Sequence, residues 1–312
     1  MVRSLVLVPF LLLAAVTAAF PSVPAPRFAV AFLPTPVLNT PDVGDVFTGP
    51  DGRVRADSCG QIRALEFIAL PGTLFRIGET IRKGASVVYR VTTDDYPYPS
   101  AKGYYIDNRF VRVTTEPQPG RPKHLPPPAR IVENLLAAEG TPYLWGGNIR
   151  DGIPEMTVFF PSRQHPADDG LRRLRGLDCT GLLYEATGGY TPRNSSGLVD
   201  FGRPVAIAGL DPGGIVGRLE PLDLIVWKGH VMIVLDKGRV IESRLDCAGG
   251  KGGVVVRPLA AALAELVKRR KPLDIWQETE RRGDKGFVVR RWYPTLSPAA
   301  SALPPPVSSV KK

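Results

Sequence analysis

Six of the residues between Glu116 and Pro128 are proline: Pro117, Pro119, Pro122, Pro126, Pro127 and Pro128. Each proline ring fixes φ and removes a backbone donor, so neither a helix nor an inner strand can run through such a stretch. Regular structure must stop on both sides of it. The chain of 312 residues is therefore expected to form two units joined by a stiff spacer at 116–128.

The unit before the spacer, 37–115, consists of short runs of strand-forming residues punctuated by turns. Leu65–Leu70 is followed by Pro71-Gly72, Val87–Val91 is rich in β-branched residues, and Tyr96-Pro97-Tyr98-Pro99 is a loop carrying two rings. Several short strands at this spacing predict a small all-β barrel. The unit after the spacer, 129–293, mixes helical and strand periods. Ile131, Leu135, Leu136 and Ala138 make a helical stripe, and Leu222–Trp227, His230–Leu235 and Arg239–Ser243 read as three successive strands. The fold class expected overall is α+β.

The two ends have their own compositions. Met1 to Ala19 has a basic start at Arg3, an apolar run from Leu5 to Val16 and small residues near Ala18, the pattern of a signal peptide. The apolar run is short for a membrane span, so no stable span is expected once it is removed; a retained anchor is the alternative. The expected location is exported, in the periplasm or in the extracellular space and cell wall. Residues 20–36 are proline-rich and expected to be extended, and 294–312 to be a disordered tail.

The cysteines are Cys59, Cys179 and Cys247, an odd number that leaves at least one thiol free. A Cys59–Cys247 bridge is conceivable but not demanded. The histidines, His124, His165 and His230, lack metal-ligand spacing, so neither a metal nor a cofactor is expected. The net charge of +10 favours an anionic partner. With no zinc-finger or RNA-binding signature, nucleic acid is not the expected one.

Chemistry concentrates at Gly176–Gly188. Asp178 suits a helix N-cap, Leu182, Leu183 and Ala186 fall at helical spacing, and Gly188-Gly189 supply a stop. Cys179 would sit in the first turn, where the helix dipole should lower its pKa and make it a nucleophile. The alternative is an inert structural cysteine. A base is available in His230, 51 residues downstream, while His124 lies in the spacer and His165 in a proline-containing excursion. A hairpin would bring Glu242 and Ser243 near the start of the His230 strand, where Glu242 could hold the ring.

Five segments taken together, Pro142-Tyr143-x-Trp145-Gly146-Gly147, Asp178-Cys179-Thr180-Gly181-Leu182, Pro192-Arg193-Asn194-Ser195, Pro221-Leu222-Asp223-Leu224 and Gly229-His230-Val231, resemble the NlpC/P60 family in content and order. The resemblance covers about 129–243. It implies a papain-like NlpC/P60 catalytic domain and a cysteine peptidase acting on peptidoglycan stem peptides or muropeptides, typically at the γ-D-glutamyl–diamino acid bond. By position it implies Cys179 as nucleophile and His230 as base. Glu242 takes the third place of the triad, where relatives more often carry His, Asn or Gln. Asp178 matches an acidic residue that helps hold the substrate's free amino terminus. Thr180 matches a usual serine, and Tyr143 and Trp145 are expected to bind substrate.

The run Gly103–Val111 resembles the end of a bacterial SH3-like (SH3b) domain, a module that binds peptide or cell wall. The alternative is a packing module. Tyr96, Tyr98, Tyr104 or Tyr105 are expected to reach across the cleft and restrict substrates to peptides with a free L-Ala terminus. Relatives link the Trp-Gly-Gly and Asp-Cys segments briefly; here 148–177 intervene, expected to form a wall of the cleft. Two other functions are compatible with the sequence: a non-catalytic cell-wall-binding protein, and another papain-like amidase or acyltransferase.

Overall fold

In a computed structural model, residues 27–84, 86–162, 166–248, 252–278 and 285–293 are described. The expected signal peptide at 1–19 and tail at 294–312 lie outside them, as does His165. In the first unit the elements run β1 (Phe28–Ala31), β2 (Thr35–Leu38), α1 (Val43–Phe47), β3 (Leu65–Ala69), β4 (Leu74–Lys83), β5 (Ser86–Thr92), β6 (Tyr104–Asp107) and β7 (Val111–Thr114). All pair antiparallel in the order β3-β2-β6-β5-β4-β1-β7.

Two expectations need correction here. No pairing joins β3 to β7 among the described residues, so the sheet stays open and no barrel closes. The sheet also begins at Phe28 rather than Val37, because the stretch expected to be merely extended supplies β1 and the first part of β2. Pro36 is tolerated inside β2 because β2 meets β6 only at Leu38↔Tyr105, which leaves one side of the strand open beside the proline. Phe47, Phe67, Phe75 and Phe110 fill the core.

The spacer is fastened down along its length. Arg121 donates to the carbonyls of Gly188 and Gly189 at 3.0 Å each, Lys123 meets Asp95 at 2.8 Å, and the Tyr293 hydroxyl donates to Pro126 O at 3.0 Å.

In the second unit the elements are α2 (Pro128–Ala137), β8 (Asn148–Ile149), α3 (Glu155–Phe159), α4 (Asp169–Arg172), β9 (Gly176–Leu177), α5 (Cys179–Ala186), α6 (Ser195–Leu198), β10 (Arg203–Val205), α7 (Pro212–Arg218), β11 (Leu224–Trp227), β12 (His230–Val234), β13 (Arg239–Arg244), β14 (Gly253–Pro258), α8 (Leu259–Val267), β15 (Lys271–Leu273) and β16 (Gly286–Arg291). The main sheet has the order β10-β16-β11-β12-β13-β14, with β15 parallel to β16. Strand alternation gives it two apolar faces. Leu224, Val226, Val231, Ile233 and Ile241 pack with Leu182, Leu183 and Ala186 of α5, while Ile225, Met232, Val234 and Val240 pack with α7 and α8. The fold is mixed α+β with several sheets.

The excursion at 148–177 is not a wall of the cleft. Ile153, Met156, Phe160 and Leu174 are buried in the core of the first unit, with the Phe160 ring 5.0 Å from Phe47. Arg109 Nη1 donates to Phe159 O at 2.7 Å. The reason is apolar: a segment with this many large side chains gains more by filling a neighbouring core than by lining a wet groove. At its start Asn148 acts like one residue of an added strand. Its Nδ2 donates to Ile68 O at 2.9 Å and its Oδ1 accepts from Ile68 N–H at 3.0 Å, which satisfies the open edge of β3.

Cys59 and Cys247 form a disulfide between the two units, leaving Cys179 free. A cross-link spanning 188 residues removes much freedom from the unfolded chain. Replacing both cysteines by serine is expected to lower the unfolding free energy by about 2–5 kcal/mol. Thermal melts of that variant against the oxidised parent check it; equal melting temperatures would show that the bridge adds nothing.

Candidate active site

The site is built on the first turn of α5. Asp178 caps the helix, its Oδ1 accepting from Thr180 N–H at 3.0 Å and Gly181 N–H at 2.6 Å. Gly181 has no room for a side chain: a Cβ there would lie 1.9 Å from Gly147 O. The second glycine of the Trp-Gly-Gly segment thus rests directly on the cysteine-bearing helix.

Arg193 organises the surroundings. It is almost wholly buried and grips Asp178 with two bonds, Nη1 to Oδ1 at 2.9 Å and Nη2 to Oδ2 at 2.7 Å. Its Nε donates to Asn148 Oδ1 at 3.0 Å and its Nη2 to Gly147 O at 3.1 Å. Thr180 donates its hydroxyl to Arg193 O at 2.7 Å. Asp178 and Thr180 both border the cavity, yet most of their polar capacity is spent inside this cluster.

Cys179 is half-buried, and its thiol faces Gly229 O at 3.9 Å and the N–H of Val231. The sulfur therefore lies against the backbone on both sides of His230. Ser195 Oγ fixes that turn by accepting from Gly229 N–H at 2.8 Å. The His230 ring lies on the face of β12 that carries Met232, and its Nε2 is 2.6 Å from Glu242 Oε2. Glu242 also receives Arg257 Nη1 at 2.9 Å. Burial opposes the charge on Glu242, but His230 and Arg257 outweigh it and hold the carboxyl below its usual value. A carboxylate at Oε2 makes Nε2 the protonated nitrogen and leaves the Nδ1 lone pair available. His230 and Glu242 are thus brought together. Cys179 packs on the opposite face of β12, with Val231 and Ile233, and touches the backbone that flanks His230, with no hydrogen bond from thiol to ring among the described residues.

The thiol itself differs from the expectation. Burial first, and then the Asp178 charge, push it up to about 12. The helix terminus fails to lower it because burial is the larger effect and the cap carboxylate adds a like charge; Arg193 and the Thr180 and Val231 N–H groups only partly offset them. Cys179 rests as a thiol. Its thiolate content at neutral pH should be roughly three thousandfold below that of a free cysteine of pKa ~8.5. Alkylation by iodoacetamide is accordingly expected to be slow at pH ~7 and to climb about tenfold per unit through pH ~9. A rate that levels off below pH ~7 would instead mark a preformed thiolate–imidazolium pair.

A cavity of about 270 Å³ opens over the thiol, lined by Tyr143, Trp145, Asp178, Cys179 and Arg193, with Glu66 and Tyr96 from the first unit. Burial, together with the Asp178 and Cys179 charges, raises the pKa of Tyr143, which stays a phenol. Trp145 is 41% exposed, with Arg63 4.6 Å over its ring and its backbone N–H donating to Gln61 Oε1 at 2.8 Å. Of the four tyrosines expected at the cleft, Tyr96 borders it and accepts from Asn194 Nδ2 at 3.3 Å. Tyr98 and Tyr104 stand edge-on behind Tyr96, and Tyr105 does not border the cavity. Among the described residues no group of three His, Cys, Asp or Glu side chains could hold a metal ion, and no helix is long and apolar enough to cross a membrane.

Four residues with a part in this site were not foreseen from sequence as functional: Glu66, Asn148, Arg193 and Arg257. Arg193 lay inside a quoted segment, but nothing local shows that its partner is Asp178, fifteen residues away. Glu66 and Asn148 depend on contacts between the two units.

No family model matches the chain, and no curated protein matches it. Among solved structures, one similar to it is an NlpC/P60 family protein from Bacillus cereus, with a TM-score of 0.31 and 16% identity. The alignment covers 86% of this chain and 64% of that one, so this chain spans under two thirds of that protein's length.

Proposed function

We propose that the chain is an exported cysteine endopeptidase that cuts peptidoglycan stem peptides at the γ-D-glutamyl–diaminopimelate bond. The observation that supports it most is the lone free thiol at the head of α5, set against the backbone on both sides of the Glu242-held His230 and under a cavity closed by the other unit. In the first step the ring turns over the open end of β12 and Nδ1 takes the Sγ proton as sulfur attacks the amide carbon. The Cys179 N–H holds the oxyanion, since those of Thr180 and Gly181 already serve Asp178. The C–N bond then breaks and the imidazolium gives its proton to the departing amine. Water, deprotonated at the same nitrogen, hydrolyses the thioester and restores the thiol.

The cavity also suits a free amino terminus on the acyl side. Asp178 is neutralised by Arg193, and Lys228 pairs with Glu278, whereas Glu66 meets only the Asn39 amide at 2.8 Å and has no cationic partner among the described residues. Glu66 and the Tyr96 hydroxyl would receive the ammonium of an L-Ala terminus. In this reading the β unit is part of the binding site rather than a packing module. The test is mass spectrometry of defined muropeptides after digestion. The expected products are an L-Ala–D-Glu dipeptide and a diaminopimelate-headed fragment. Binding without cleavage would favour the non-catalytic wall-binding alternative, and cleavage at another bond the amidase or acyltransferase alternative.

A further inference from the structure

A second cavity, of about 470 Å³, lies on the α8 face of the sheet and shares the turn between β11 and β12 with the first. Lys228 and Gly229 border the cavity at the thiol; Trp227 and His230 border this one. Its lining carries Arg244, Arg257, Arg269, Arg270 and Lys285 against two carboxylates, Glu242 and Glu265, an excess of three positive charges.

The acids are already engaged. Arg257 spans them, with Nη1 on Glu242 at 2.9 Å and Nη2 on Glu265 at 2.6 Å. Arg270 Cζ lies 4.7 Å over the Trp227 ring, and the His230 ring is 5.1 Å from the same indole. Three cations remain. Arg244 comes no nearer to Glu242 than 4.0 Å, and Arg269 and Lys285 have no ion-pair partner among the described residues. Like charges gathered around one concavity raise the potential inside it, and an incoming anion lowers that potential.

We propose that this cavity is a carboxylate-binding site, and, resting on the reading above, that it receives the fragment leaving with the amine. The two cavities meet at the turn that carries His230, so a fragment leaving the thiol past that turn would come to these cations. A carboxylate suits it where an ammonium would be repelled. The cavity over the thiol, with its unpaired Glu66, has the opposite preference, so the two together would orient a chain with its amino end at Glu66 and its acidic end at Arg269 and Lys285.

The test has a binding arm and a cleavage arm, both on the full chain. In calorimetric titration at low ionic strength, glutarate is expected to bind saturably and its uncharged diamide not to bind. The exposed pair Arg269→Gln/Lys285→Gln should weaken glutarate at least tenfold without changing the melting temperature. No glutarate binding, or equal binding by parent and variant, overturns the site. In the second arm, substrates ending in a carboxylate or a carboxamide on the leaving residue are compared. The acid should be cut about tenfold faster by the parent, and the variant should lose that preference; an equal rate for both in the parent overturns the assignment to the leaving fragment. If neither substrate is cut while glutarate still binds the parent selectively, the peptidase reading fails and the anion site stands.

Discussion

A Cys179→Ala chain is expected to leave muropeptides uncut, with turnover reduced by at least roughly 10⁴-fold, the scale on which loss of a covalent nucleophile is felt. Its fold should be intact. The sulfur is half-buried and its hydrogen bond to Gly229 O is long, 3.9 Å, so truncation should change stability by less than about 1 kcal/mol. The helix keeps its cap, because Asp178 bonds to Thr180 and Gly181 and not to the cysteine. Product analysis by mass spectrometry, together with a melt of the same preparation, separates the two effects. A folded alanine variant that still released diaminopimelate-headed fragments would remove Cys179 from the chemistry.

Arg193→Leu should have the largest effect on stability. The guanidinium answers both oxygens of a buried carboxylate, and it also bonds to Asn148 and Gly147. Without it Asp178 is a buried charge with no counterpart, a loss of about 3–5 kcal/mol. Chemical denaturation should show the drop in midpoint. Adding Asp178→Asn should recover part of it, because the stranded charge is then gone; additive losses in the double variant would mean the two groups are not coupled. The two single variants should move the thiol pKa in opposite directions: Asp178→Asn takes away a negative neighbour of Cys179 and lowers it, while Arg193→Leu takes away a positive one and raises it.

The parts of this molecule that sequence shows are those decided within one element. Asp178, the apolar spacing of Leu182, Leu183 and Ala186, and the glycine stop define α5 within a few residues, and the alternation in β11, β12 and β13 is as plain. The Glu242 position follows from hairpin geometry. What escapes is decided between elements. An open and a closed sheet share the same strand pattern, differing only in whether the outer strands meet. The residues at 153–174 look like a surface excursion until the first unit's core is there to receive them. The thiol pKa follows the same logic: a helix terminus alone lowers it, and burial between elements, with the cap's charge second, reverses the sign.

Because side chains from 153–174 complete the interior of the β unit, and Asn148 finishes its outermost strand, the two halves are not interchangeable cassettes. A recombinant joined at the prolines would carry a β unit stripped of part of its filling, and a second half with bare apolar surface where that filling had been buried. The two units therefore stand or fall together, and changes to the cavity wall that the β unit supplies are better made by point substitution at Glu66 and Tyr96 than by exchanging that unit.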